Sequence, residues 1–75
     1  MNKNDAQQVI DLVLGVKGRV LTVTDLTVKN NEAVATIQTE ASIVSLHNWF
    51  AKAGATNVSL VTEGLTHTTA VHFGK

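Results

Sequence analysis

Twice along this chain the spacing of apolar side chains switches from steps of three and four to steps of two. That double switch restricts the fold more than any other feature of the sequence. Ala6, Val9, Ile10, Val13 and Val16 recur at helical steps, which predicts a helix over about Asp5 to Val16. Asn4 followed by Gln7 fits a capping box at its start, and Gly15 and Gly18 are expected to stop it. From Arg19 onward the period is two. Leu21 and Val23 share one parity while Leu26 and Val28 take the other, so a bulge or bend is expected near Thr24-Asp25. Asn30-Asn31-Glu32 is polar and turn-prone, after which Ala33, Ala35 and Ile37 resume the alternation as a β-hairpin.

The second unit repeats the order. Ser42 can cap a helix whose stripe is Ile43, Leu46, Phe50 and Ala53, with Trp49 flanking the stripe and Gly54 at the position after the helix end. Val58 and Leu60 follow, Glu63-Gly64 reads as a turn, and Leu65, His67, Thr69, Val71 and Phe73 share one face of a last strand. The expected architecture over residues 1–75 is a single α+β domain in the order αββαββ. Two helix–hairpin units of this kind can close into a four-stranded antiparallel sheet with both helices on one face. That is a ferredoxin-like arrangement entered at a different point of its cycle.

A chain of 75 residues can build only one core. Having no cysteine, it must hold that core by apolar packing alone, without disulfides, thiolate catalysis or a zinc ribbon. Six basic and six acidic residues cancel, and the basic ones are scattered along the sequence, so the concentrated basic face of a nucleic-acid binder is not expected. No apolar run approaches the roughly 20 residues that span a bilayer, and Met1-Asn2-Lys3-Asn4-Asp5 leads into an amphipathic segment rather than a signal sequence. The chain then reads either as cytoplasmic or as a domain of a longer, targeted protein.

No constellation for chemistry emerges. His67 and His72 lie five apart on one expected strand and so project from opposite faces, and His47 belongs to the second helix. The carboxylates fall mostly at helix starts and turns, and no serine can be given a histidine-plus-acid triad. Gly15-Val16-Lys17-Gly18 follows a helix, whereas phosphate-binding glycine loops open one. The threonines, among them 22, 24, 27, 36, 39, 66 and 69, read as strand formers at solvated positions. A non-enzymatic domain without metal or cofactor is the expectation.

Trp49 and Phe50 are adjacent on a helix and differ by about 100° in direction, so both cannot point straight into the core. Phe50 is on the stripe. Trp49 either seals the rim of a small core or stands as an exposed anchor for a partner. Association is expected through a helix surface or a sheet edge. The last strand has no proline, lysine or carboxylate to blunt it, so Leu65, His67, Thr69 and Val71 join Trp49 as interface candidates.

Several residues together resemble a family. Val23-x-x-Leu26-x-Val28-x-Asn30, Ala33-x-Ala35-x-Ile37, Ser42-x-x-x-Leu46-x-x-Trp49-Phe50 with Gly54, Val58-x-Leu60, Glu63-Gly64 and Ala70-x-His72-Phe73 are similar to the C-terminal ferredoxin-like domain of type II secretion system protein M. The related protein L and the type IV pilus assembly proteins N and O share that architecture. The helical Leu46-x-x-Trp49 between two hairpins is the most specific element, and the pattern covers about Val20 to Phe73. The resemblance implies a periplasmic, inner-membrane-platform assembly domain that forms homodimers or pairs with a like-folded protein L domain. Its membrane anchor would lie in a segment this chain does not contain. A different class, a small ACT-like regulatory module binding an amino acid at a dimer interface, is the alternative, and a lipid-surface domain of the BON type is a weaker one.

Overall fold

The structure, a computed structural model, describes residues 2–63 and 67–74. Its order is α1 (Lys3–Lys17), β1 (Leu21–Lys29), β2 (Glu32–Thr39), α2 (Ile43–Lys52), β3 (Thr56–Glu63) and β4 (Thr68–Gly74). The four strands form one antiparallel sheet in the order β1-β2-β4-β3. The last strand is therefore inserted between β2 and β3, and α2 makes the connection that spans it. This is the expected ferredoxin-like αββαββ arrangement. Glu63, expected in the turn before the last strand, instead ends β3, and that last strand, expected from Leu65, is β4 from Thr68; Gly64, Leu65 and Thr66 lie outside the described residues.

Helix α1 begins two residues earlier than the capping-box reading predicts. Asn2 is the cap, its Oδ1 accepting the Asp5 backbone N–H at 2.8 Å. Gln7 instead donates to Asp11 one turn on, at 2.9 Å. Two asparagines stand two apart, and with Asn2 as the cap Asp5 is the third helical residue, its N–H reaching the cap and its carboxylate in the first turn, where it complements the helix dipole. Ala6, Val9, Ile10 and Val13 are buried as the stripe requires. Helix α2 is capped by Ser42 as expected, its Oγ accepting from Ser45 N–H at 3.2 Å, and it buries Leu46 and Phe50. Ile43, expected on that stripe, is the first residue of the helix and is 47% exposed.

The phase change in β1 is a bulge. Val23 pairs with Ile37 and Asp25 with Thr36, leaving Thr24 without a partner residue. Thr24 Oγ1 bonds to the Thr36 carbonyl at 3.2 Å, and the extra residue returns Leu26 and Val28 to the helix side of the sheet. That side is floored by Ala33, Ala35 and Ile37 of β2 and by Thr69, Val71 and Phe73 of β4, all buried. Phe50 of α2 meets Phe73 at 5.3 Å between ring centroids, tilted by 47°. Alanines at two floor positions let the helices lie close. The other side of the sheet carries no helix and presents Thr22, Thr27, Thr36, Gln38, Thr68 and His72.

Phe50 is fully buried, so Phe50→Ala should cost about 3–5 kcal/mol, enough to abolish a cooperative melt in a domain of this size.

The glycines expected to stop α1 behave differently. Gly15 lies inside the helix with open space where a Cβ would be, whereas a Cβ on Gly18 would sit 2.6 Å from the Leu14 carbonyl oxygen. Gly18 ends the helix, and Gly15 merely weakens it. Gly15→Ala should accordingly stabilise the domain by up to about 1 kcal/mol. Gly18→Ala should destabilise it by about 1–3 kcal/mol, since the last turn must open. Thermal melts of the two variants, moving in opposite directions, check this pair.

Candidate functional site

Among the described residues no three histidine or acidic side chains group as metal ligands. His47 and His67 are exposed and apart. His67 sits in the turn that leads into β4 rather than on the strand, with a backbone φ of 54°, and its carbonyl accepts the Thr39 N–H at 2.9 Å. His72 lies on the helix-free face, where its Nδ1 pairs with Glu32 Oε1 at 2.5 Å. That pair ties β4 to the adjacent strand β2 on an exposed surface, and among the described residues no third histidine or carboxylate groups with it as a metal ligand.

Of the interface candidates, Thr69 and Val71 are not on a sheet edge. They lie in β4, bonded on both sides by β2 and β3, and they face the helices at 4% and 0% exposure. The missing lysines and carboxylates of this strand thus reflect a central position rather than an unprotected edge. Leu65 lies outside the described residues. The edges belong to β1 and β3. Trp49 is half-buried, and on it the observations converge.

Helices α1 and α2 both pack on the sheet and touch each other only lightly, which leaves a groove between them. A depression of about 300 Å³ is lined by Leu12, Val16, Lys17, Trp49, Lys52 and Ala53. Leu12 and Val16 are one turn apart and 60% and 77% exposed, because the four buried residues of α1 already occupy its sheet-facing stripe. Lys17 Nζ lies 5.2 Å from the centre of the Trp49 ring, a cation–π arrangement that holds the indole at the groove wall. Trp49 is thus neither fully sealed nor fully exposed. One side of the ring seals the helix layer, and another is open to a second hollow beside Arg19, Val20 and Ser45.

Thr39 does not line that second hollow but ties together two residues that do, Val20 and Ala41, and sequence reasoning missed it by treating every threonine as solvated. It is buried; its Oγ1 donates to the Val20 carbonyl at 2.7 Å and accepts the Ala41 N–H at 3.0 Å. One hydroxyl thereby fastens the α1–β1 connection to the β2–α2 connection. A signal was present: a threonine at the helix-facing parity of β2, three residues before the Ser42 cap, has backbone groups within reach. Thr39→Val keeps the shape but leaves a donor and an acceptor unsatisfied, and should cost about 1–3 kcal/mol in a denaturant titration.

No protein-family model matches this sequence, and no curated protein or solved structure matches it either. Among the described residues, no helix is long and apolar enough to cross a membrane.

Proposed function

We propose that this domain is a non-catalytic assembly module that joins a second copy of itself, or a like-folded partner, along the β3 edge of its sheet. The observation that carries the proposal is the contrast between the two edges. β1 is broken by its bulge and carries Asp25 and Lys29, both of which discourage an added strand. β3 pairs only with β4 and has its own irregularity between Thr56 and Ser59, but it has no lysine or proline, its one charged residue is Glu63 at the strand end, and it keeps a regular register from Ser59 to that end. Val61 stands at the middle of that run, 53% exposed on the helix-free face. Two copies meeting antiparallel about Val61 would place the valines opposite each other and extend the sheet to eight strands. Zero net charge offers little long-range repulsion to such a pairing.

The setting we propose is the periplasmic face of a bacterial type II secretion or type IV pilus platform. This rests on the resemblance carried by Leu46-x-x-Trp49-Phe50 between two hairpins. In that setting the like-folded partner is a domain of the protein L type.

Sedimentation over a concentration series tests the association. The wild type should dimerise, alone or on addition of the partner domain. Val61→Lys, which opposes two ammonium groups across the pair, should stay monomeric while melting at nearly the wild-type temperature. A wild type that remains monomeric at the highest attainable concentration and gains nothing from a like-folded domain would sink the reading.

A further inference from the structure

We infer that the groove between α1 and α2 is a docking site for an acidic amphipathic helix of a partner protein. Three observations meet there. The first is apolar exposure: Leu12, Val16 and Val20 are each more than half exposed on one side of the molecule, next to a half-buried tryptophan. Such a concentration on a small domain marks an interaction surface more often than chance exposure does. The second is spacing. Leu12 and Val16 stand one turn apart on α1, and a groove between two helices accepts a third helix through side chains repeated at the same interval.

The third observation is charge. Lys17 and Lys52 line the groove and Arg19 lines the neighbouring hollow, so three of the chain's six basic residues gather around Trp49 although they are far apart in sequence. Among the described residues no carboxylate lines the groove itself; Glu40 lines the neighbouring hollow, and Asp11 stands beside Leu12 on the far side of that leucine's exposed surface. A second copy of this surface would bring like charges together, so the groove does not suit self-association. A helix with leucines on one face and carboxylates along its flanks satisfies both the apolar floor and the cationic rim. The groove opens on the helix layer, whereas strand pairing at β3 proceeds in the plane of the sheet. The two proposals therefore stand or fall separately.

Trp49 is the only tryptophan in the chain, so its emission reports on the groove directly. The probe is a designed peptide of about 14 residues with leucines at helical spacing and glutamates on the flanks. Its counterpart carries lysines in place of the glutamates. The glutamate peptide should shift Trp49 emission to the blue and saturate, and the lysine peptide should bind at least tenfold more weakly. The double variant Lys17→Glu with Lys52→Glu should weaken the glutamate peptide about tenfold, since each reversal removes one rim attraction and adds one repulsion. It should reverse the preference between the peptides. Lys3→Glu with Lys29→Glu, an equal charge change elsewhere, should leave binding within about twofold. Peptide fluorescence anisotropy gives a second readout that does not depend on the indole. Equal binding of both peptides, or none, would overturn the inference. Binding of anionic lipid vesicles without the peptide would reassign the groove to a membrane and overturn it too. So would self-association that Val16→Glu abolishes.

Discussion

The pairing of β2 with β4 is the interaction on which the rest of the structure depends. It joins residues 33–38 to residues 68–73 and is what turns two consecutive helix–hairpin units into one domain. Without it each hairpin would have one apolar face and only its own helix to cover it, too little to stand alone in water. With it, Ala33, Ala35 and Ile37 lie beside Phe73, Val71 and Thr69 as one floor, and both helices cover that floor together. The Phe50–Phe73 contact lies above this junction, linking the second helix to the strand that its own connection crosses. Because the pairing is long-range, the chain must close a large loop before gaining from it.

The elements were legible in the sequence because each is written in local periodicity. Both helices, all four strands and the bulge follow from where the period is three to four, where it is two, and where its phase slips. The order of strands was harder to read. A strand without charges, such as Thr68–Gly74, satisfies the description of an unprotected edge and of a buried centre equally well, and only the pairing decides between them. The same ambiguity hid the site. Thr39 and Thr69 have the side chain of a solvated strand position. Thr39 is nevertheless buried, because the loops on either side bring a carbonyl and an N–H to its hydroxyl. Trp49 stands out in the sequence, but the sequence says nothing of Leu12 and Val16 lining the same groove, since that requires the distance between two helices.

Charge shows the same division between sequence and space. The basic residues read as scattered, and along the chain they are. Folding gathers Lys17 and Lys52 because each belongs to the last turn of a helix, and the C-terminal turns of α1 and α2 both border the same groove. A cation in a last turn offsets the partial negative charge of the unpaired carbonyls there. Stability alone therefore accounts for why each lysine stands where it does.

It does not account for what surrounds them. A helix-end lysine serves the dipole equally well beside polar neighbours, yet here the neighbours are Leu12, Val16 and an indole. Leaving those side chains in water forgoes burial at roughly 25 cal/mol per Å², with no return from the helix dipole. Nor does the core require them, because Ala6, Val9, Ile10 and Val13 already complete the face of α1 that meets the sheet. In the free domain the Lys17 ammonium lies over this surface, 5.2 Å from the centre of the Trp49 ring. A lysine held in this way is easily displaced, since an exposed cation–π contact is worth only about 0.5–1 kcal/mol. An arriving carboxylate can draw the ammonium aside and uncover the indole for the apolar side chain that follows it. The exposed apolar floor and its cationic rim are therefore the two features that the proposed acidic helix would meet at once.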